Sequence, residues 1–148
     1  MGGVGMRKLH LGCGQDKPEG WINIDYDPHW NPDLLRDLAR GLPYDDKSVD
    51  EIYTKNCLEH IAPDELQFVL RECKRVLKVG GTMKVIVPLG VVPDLTHKTF
   101  FAPFTFENFI QQDYRYGFGD MQVVEKTTKH NGPPFDYDEL VIVLERGR

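Results

Sequence analysis

Short apolar runs separated by turn residues occupy the first third of the chain, and this pattern predicts a β-sheet. Lys8 to Leu11 form an apolar run that ends at two glycines, which predicts a short buried strand. Trp21 to Asp25 predict a second strand, and residues 33–37 predict a brief third one. Val49 to Tyr53 follow a polar turn and predict a fourth strand, so a sheet forms before any long helix.

The clearest helical pattern runs from about Pro63 to Lys78, where apolar residues recur every three or four positions. Pro63 suits a first helical turn, and the pair Gly80-Gly81 predicts a glycine stop after the helix. Residues 15–20, between the first two strands, are too few for a crossover helix, which needs about ten residues. The first crossover is therefore predicted to be vestigial.

The second half of the chain predicts one more strand, a loop, a helix and a hairpin. Thr82 to Val87 predict the fifth strand, and Leu89 to Pro103 lack periodicity and predict a loop over the site. Phe104 to Gln112 predict a helix. Met121 to Thr127 and Leu140 to Leu144 predict two strands that a turn joins into an antiparallel hairpin.

Size and composition predict one ordinary globular domain. The 148 residues are 41% hydrophobic and 28% charged, so we expect a single domain over 1–148, with 1–6 as a flexible tail. The net charge of −5 argues against tight non-specific binding of nucleic acid. No apolar run approaches the ~20 residues of a membrane span. Three cysteines without a CxxC pair predict reduced thiols and a cytoplasmic protein.

The turn Gly12-Cys13-Gly14 and the carboxylate of Asp25 are the first candidate site. Glycines let the backbone approach a ligand, because no Cβ stands in the way. A carboxylate at the end of a strand can accept hydrogen bonds from ribose hydroxyls. The alternatives are a tight turn without a ligand, and a turn cap at Asp25 before Pro28.

Three further loops carry candidate binding residues. Asp37 could accept from an adenine amino group while the Leu38 amide donates to the ring, or Asp37 could be solvated. Asn56 follows the fourth strand and could contact a cofactor, or it could be an ordinary loop asparagine. His60 could orient a ligand or act as a base, and its alternative is a structural role.

The aperiodic loop after the fifth strand carries the candidate acceptor residues. His97 is the candidate general base, and Asp94, Phe100 and Phe101 are candidate walls of the acceptor pocket. A loop packed by its own aromatic residues is the alternative.

Taken together, these residues resemble the class I S-adenosylmethionine-dependent methyltransferases, most closely their small, type-11-like group. The resemblance covers about the first 90 residues, and each motif alone is weak whereas the set is specific. The matched stretches, in order, are 9–14, 21–25, 37–38, 42–44, 48–52, 58–61 and 77–81.

The resemblance implies an α/β, Rossmann-like sheet of seven strands with an antiparallel last strand, and S-adenosylmethionine as the cofactor. It implies that Gly12 and Gly14 border the methionine part, Asp25 the ribose, Asp37 and Leu38 the adenine, and Asn56 the reacting end. The chain departs from the family in its short length and reduced helix content. One face of the sheet is then thinly covered, which predicts a homodimer.

The predicted function is methyl transfer from S-adenosylmethionine to an oxygen or nitrogen of a small or sugar-like acceptor. The Asn-Pro-Pro-Tyr signature of amino-directed DNA methyltransferases is absent, since Asn56 precedes Cys57. One alternative is a non-catalytic module that keeps the cofactor fold. Another is a nicotinamide-dependent dehydrogenase, which the missing third glycine and the early Asp25 disfavour.

Overall fold

Seven strands form one mixed sheet in the computed structural model, which describes residues 5–92, 94–134 and 136–148. The strands are β1 (Lys8–Leu11), β2 (Ile22–Asp25), β3 (Leu34–Leu35), β4 (Val49–Lys55), β5 (Leu77–Pro88), β6 (Met121–Asn131) and β7 (Tyr137–Arg146). Their order across the sheet is β3-β2-β1-β4-β5-β7-β6. The first five strands pair in parallel, and β7 runs antiparallel to β5 and β6, which confirms the predicted sheet and its closing hairpin. Of the predicted tail, residues 1–4 lie outside the described residues.

Helices are few, as the sequence predicted. They are α1 (Pro63–Val76), α2 (Thr105–Gln111) and α3 (Asp113–Tyr116), and three-residue 3-10 turns lie at Pro28–Trp30, Leu38–Arg40 and Leu58–His60. The connection from β1 to β2 contains turns and no helix, so the first crossover is indeed vestigial. Within the described ranges, each helix is too short or too polar to cross a membrane.

Helix α1 begins at Pro63 as predicted, but it ends two residues earlier than the sequence indicated. Leu77 has an extended backbone, with φ −70° and ψ 134°, and it pairs with Val49 as the first residue of β5. Its side chain is fully buried. The prediction that Gly80-Gly81 stop the helix is therefore wrong, because those glycines lie inside β5.

The sheet buries one of its two faces. Successive side chains of a strand point to opposite faces, so alternate residues divide into two sets. The buried set joins the apolar stripe of α1 and the phenylalanines of α2 in one core, and includes Leu9, Leu11, Ile24, Ile52, Met83, Val85, Ile142 and Leu144. Much of the opposite set is partly or fully exposed, including Lys8, Glu51, Tyr53, Lys84 and Val143, whereas His10 and Asn23 of that set are buried.

The carboxyl ends of β1, β2 and β4 meet at one edge of the sheet. The strand order reverses between β1 and β4, because β1 is followed in the chain by its neighbour on one side and β4 lies on the other. Ligands of open α/β sheets bind at such a switch point. The loop from Leu89 onward bridges back to Phe101 and lies close to the 3-10 turn Leu58–His60.

Candidate functional site

A cavity of about 700 Å³ opens at the switch point. Its volume lies within the range of small-molecule and cofactor sites, which is roughly 300–1,000 Å³. Six of the residues predicted from sequence line it: Gly12, Asp25, Asp37, Leu38, Asn56 and His60. The remaining lining residues are Ile24, Tyr26, Asp27, Trp30, Arg36, Ala39, Cys57, Ile61, Glu65, Thr96 and Lys98.

The carboxylate of Asp25 is fixed at the centre of this lining. The side chain is buried, at 8% exposure, and closes β2. Its Oδ2 accepts the N–H of Gly14 at 2.9 Å, and its Oδ1 accepts the N–H of Asp27 at 3.0 Å. Each carboxylate oxygen can accept more than one hydrogen bond, so both keep capacity for hydroxyl groups in the cavity. Two acceptor oxygens side by side fit the two hydroxyls of a ribose.

The glycine turn has a packing role that the sequence did not show. Gly12 has φ +67°, and a Cβ there would lie 2.4 Å from Sγ of Cys57. Gly14 has φ +53°, and its N–H holds Asp25. Cys13 is buried beside the cavity, and its N–H donates to the carbonyl of Ile24 at 3.0 Å. The turn therefore packs against the loop after β4 through Gly12 and positions the carboxylate of Asp25 through Gly14.

The three thiols are held in their neutral form. Burial raises the pKa of Cys57 to about 12. Burial also raises the pKa of Cys13, with the nearby charge of Asp25 adding to it, and burial raises the pKa of Cys73. Because the thiolate is the nucleophilic form, none of these cysteines is poised for covalent chemistry near neutral pH.

Two loops at the cavity are held by backbone geometry. Asp37 caps the turn Leu38–Arg40, since its Oδ1 accepts the N–H of Ala39 at 3.0 Å. Asn56 takes a left-handed backbone conformation, with φ +53°, and its N–H donates to the carbonyl of Ile86 at 3.0 Å. Such a conformation is uncommon outside glycine, and asparagine tolerates it best.

Several polar and aromatic lining residues were not predicted, among them Tyr26, Asp27, Trp30 and Arg36. Tyr26 and Asp27 directly follow Asp25, so their position after a strand end was a usable signal. Trp30 and Arg36 carried no such signal. The guanidinium of Arg36 donates to the carbonyls of residues 40 and 41, at 2.8 and 2.9 Å, which holds a positive charge in the cavity wall.

The loop after β5 is fastened to the 3-10 turn Leu58–His60. The carbonyl of Glu59 accepts the N–H groups of Lys98 and Thr99, at 2.8 and 3.1 Å. The hydroxyl of Thr99 donates to the carbonyl of Ile61 at 2.6 Å. These bonds bring the predicted His60 and His97 together, with ring centroids 4.8 Å apart in an edge-on arrangement.

The aromatic residues of that loop take other positions than the predicted pocket wall. Phe101 is buried and stacks on Phe106, with ring centroids 5.6 Å apart. Phe100 is half exposed, and among the described residues the loop gives the cavity Thr96 and Lys98 instead. His97 lies behind His60, with its Nε2 at 3.4 Å from Oδ2 of Asp94.

Two carboxyl groups near these histidines have shifted pKa values of opposite sign. Burial raises the pKa of Glu59, whose side chain is almost completely enclosed. The hydroxyl and the backbone N–H of Thr96 donate to Asp94 and hold the pKa of that carboxyl below its usual range. The surroundings of Asp94 therefore favour its ionised form. The surroundings of Glu59 disfavour ionisation.

Comparison with known proteins gives one family and one fold. A family model described as "Methyltransferase domain" matches residues 9–85, which is more than half of the chain. None of the curated proteins compared with the chain matches it.

Solved structures share the fold at low identity. A SAM-dependent methyltransferase from Archaeoglobus fulgidus is 18% identical, with a TM-score of 0.72 over 96% of this chain and 87% of that chain. A 1,6-didemethyltoxoflavin-N1-methyltransferase from Burkholderia thailandensis, solved with S-adenosylhomocysteine, is 13% identical, with a TM-score of 0.68 over 98% and 73%. The cyclase SpnF is 14% identical, with a TM-score of 0.68 over 97% and 75%.

Proposed function

The chain belongs to the methyltransferase domain family, and from this premise we propose that it transfers a methyl group from S-adenosylmethionine to a small-molecule or glycan acceptor. The observation that carries the proposal is the buried carboxylate of Asp25, which two backbone N–H groups fix at the wall of a cofactor-sized cavity. The position of Asp25 at the carboxyl end of β2, beside the switch point where open α/β sheets bind ligands, also supports the proposal.

The cavity lining supports one orientation of the cofactor. Asp25 would accept the ribose hydroxyls, and Asp37 and Leu38 would contact the adenine. Gly12 would border the methionine part, which leaves Asn56 near the reacting end. When bound, the sulfonium supplies an electrophilic methyl group, so the task left to the chain is to align an acceptor oxygen or nitrogen with it.

His60 is the general base that the geometry supports for a hydroxyl acceptor. Its ring lines the cavity, whereas His97 lies behind it. Histidine is the commonest general base in enzymes, and a positioned base contributes about 10²–10⁴-fold to a rate. The net charge of −5 supports a small-molecule or glycan acceptor over a nucleic acid.

A non-catalytic S-adenosylmethionine-binding module is the second candidate function. The small number of helices favours it, and SpnF shows that a protein described as a cyclase carries this fold, so the fold alone does not specify a reaction. Release of S-adenosylhomocysteine over a panel of hydroxyl and amine acceptors separates the two candidates. Binding without release on any acceptor would favour the non-catalytic module.

Calorimetry with S-adenosylhomocysteine tests the cofactor site. We expect Asp25→Asn to weaken binding by about 10- to 100-fold, since hydrogen bonds to a charged group contribute roughly 1.5–3 kcal/mol. Asparagine keeps an acceptor for one of the two backbone N–H groups and loses it for the other, so circular dichroism checks that the variant keeps the fold. Asp45→Asn, in an exposed turn, is the matched control and should bind as the wild type does. Absence of binding to the wild type would contradict the proposal.

A further inference from the structure

Glu59, His60 and His97 form a cluster of metal-ligand type beside the cavity. One donor atom from each of the three side chains lies within 4.8 Å of the other two. Glu59 and His60 lie in the 3-10 turn after β4, and His97 lies in the loop that backbone hydrogen bonds fasten to that turn. The cluster touches the cavity through His60, whose ring is part of the lining.

The hydrogen bonds of His60 indicate which ring nitrogen is free. The hydroxyl of Thr96 lies 2.6 Å from Oδ1 of Asp94 and must donate to it, because an ionised carboxylate only accepts. The same hydroxyl oxygen, 3.1 Å from Nδ1 of His60, then accepts a proton from that nitrogen. The backbone carbonyl of Thr96, at 3.3 Å from Nδ1, also accepts only. His60 therefore carries its proton on Nδ1, and Nε2 presents a lone pair.

His97 is oriented in the complementary way. Its Nε2 faces Oδ2 of Asp94 at 3.4 Å, so the ring proton belongs on Nε2. Its Nδ1 is buried and has no hydrogen-bond partner among the described residues. A histidine that gives one ring nitrogen to a carboxylate and keeps the other as a lone pair has the arrangement typical of metal-bound histidines.

Glu59 supplies the negative charge of the cluster. Its side chain is 2% exposed, and Oε1 is buried without a hydrogen-bond partner in the described part of the chain. A buried polar atom without a partner costs free energy, and a buried carboxylate costs more. Two buried acceptor atoms of the cluster, Oε1 of Glu59 and Nδ1 of His97, thus lack a hydrogen-bond partner among the described residues, which is a situation that a cation relieves.

We propose that Glu59, His60 and His97 bind a divalent transition-metal ion of the zinc type, with an open coordination position toward the cavity. Two imidazoles and one carboxylate suit zinc, and three protein ligands leave a fourth position for water or substrate. Bond lengths of about 2.0–2.1 Å place tetrahedral ligands roughly 3.4 Å apart, so the donor atoms would close by about an ångström.

A metal there would bind the acceptor hydroxyl and lower its pKa, a role that rests on the proposed methyl transfer. It would replace the general-base role of His60, because the free nitrogen of that ring cannot both ligate a metal and accept a proton. The proposal that the cluster binds a metal depends only on the geometry of the three side chains and not on the proposed function. A proton shared between Glu59 and His97 would satisfy the same acceptors without a metal, and this is the competing outcome.

Titration of the chelator-treated protein with Co²⁺ tests the site, since Co²⁺ reports nitrogen and oxygen ligands by visible absorption. We expect binding bands in the wild type that Zn²⁺ displaces. His97→Ala and Glu59→Gln should each weaken Co²⁺ binding at least 100-fold while leaving the circular dichroism spectrum unchanged. Absence of bands in the wild type, or bands that persist in both variants, would overturn the proposal in favour of the shared proton.

Two further variants define the position and the geometry. His130 lies between Asp136 and Asp138 near the β6–β7 turn, at 3.2 and 2.8 Å, and is the matched control. His130→Ala should leave Co²⁺ binding unchanged, and loss of binding there would place the ion at the hairpin and overturn the proposal. Asp94→Asn removes the carboxylate that orients His97, and we expect metal affinity to fall about 10- to 100-fold.

The same samples separate this proposal from the proposed function. Calorimetry with S-adenosylhomocysteine should give wild-type affinity in His97→Ala, because His97 lies outside the described lining of the cavity. Co²⁺ bands in a wild type that does not bind S-adenosylhomocysteine would leave the metal site standing and contradict the cofactor assignment. Cofactor binding without Co²⁺ bands would support the cofactor assignment and overturn the metal site.

Discussion

At Gly12 the chain has room for a hydrogen atom and nothing larger. An added Cβ would lie 2.4 Å from Sγ and 2.7 Å from Cβ of Cys57, and φ is +67°. We expect Gly12→Ala to lower the free energy of unfolding by about 2–4 kcal/mol, from overpacking and from the left-handed backbone. Urea denaturation measures this loss.

A second substitution distinguishes the two causes. Cys57→Gly removes both atoms that the new methyl group meets, so the double variant should be more stable than the sum of the single changes predicts. Cys57→Ser keeps Cβ and should give little rescue. A Gly12→Ala protein within about 0.5 kcal/mol of the wild type, the range of ordinary surface substitutions, would contradict the close contact.

Glu59 makes stability depend on pH in the direction opposite to most carboxylates. Burial raises its pKa above the usual 4.5, so the folded state holds the proton more tightly than the unfolded chain. The resulting stabilisation is fully present below pH 4.5 and is lost as pH rises through the raised pKa. In chelator, Glu59→Gln should therefore gain stability relative to the wild type across that interval, as measured by urea denaturation at successive pH values.

The control for this prediction is Glu19→Gln, because Glu19 is exposed in the loop between β1 and β2. The difference in free energy of unfolding between Glu19→Gln and the wild type should stay constant over the same pH range. A constant difference for Glu59→Gln as well would contradict the raised pKa.

Residue chemistry could be predicted where it follows a strand end, and not where it depends on tertiary contact. Asp25 and Asn56 were recognisable because each closes an apolar run. Glu59 was not, since a glutamate four residues after a strand is normally solvated and only the fastened loop encloses it. Two hydrogen bonds to backbone carbonyls hold Arg36 in the cavity wall, and no local sequence pattern predicts that position.

At the scale of elements, α1 holds the loop that precedes β4. The guanidinium of Arg75 donates to Glu72 at 2.7 Å, to the carbonyls of Leu42 and Tyr44 at 2.9 Å, and to Asp46 at 2.8 Å. Hydrogen bonding to Arg75 is the main cause of the lowered pKa of Glu72. We expect Arg75→Ala to lower the free energy of unfolding by about 1–3 kcal/mol, measured by urea denaturation.

The effect should depend on pH, because the pKa of Glu72 is lower in the folded state. Its contribution is present above pH 4.5 and is lost as pH falls through the lowered pKa, so Arg75→Ala should cost less in acid. Arg71→Ala, on the same helix and without a hydrogen bond in the described residues, is the control. An equal loss in both variants would contradict the role of Arg75.

Elements were predicted well where the periodicity was unambiguous. Pro63 and the apolar stripe predicted the start of α1, and the turn at residues 131–134 between two apolar runs predicted the hairpin. The end of α1 was missed because Leu77 continues the helical stripe in sequence, while the burial of Leu77 and its pairing with Val49 draw it into β5. Helix propensity alone could not decide between those two positions.

At the scale of the whole molecule, the open face of the sheet bears on oligomerisation. Ile86, Val141 and Val143 form a partly buried apolar strip there, beside Tyr53 and the exposed Lys84. An apolar centre with a polar rim is the usual anatomy of an interface. The homodimer predicted from sequence would use this face, and sedimentation velocity should then give the mass of two chains.

A substitution on the strip provides the comparison. Val143→Glu should shift a dimer to the single-chain mass of 17.0 kDa while leaving the circular dichroism spectrum unchanged. Lys129→Glu, near the far end of the β6–β7 hairpin, is the control and should sediment as the wild type does. A wild type that sediments at the single-chain mass would contradict the dimer.

The distribution of the cavity lining along the chain has a consequence for how such a protein diversifies. Among the described residues, the cavity lining lies between Gly12 and Glu65 except for Thr96 and Lys98, which the loop after β5 supplies. Under the proposed function, the residues assigned to the cofactor lie in the first stretch and the loop after β5 borders the acceptor, so the loop should tolerate insertion or exchange without loss of cofactor binding. On that proposal, grafting foreign loops between β5 and α2 should change the acceptor that is methylated while binding of S-adenosylhomocysteine stays unchanged.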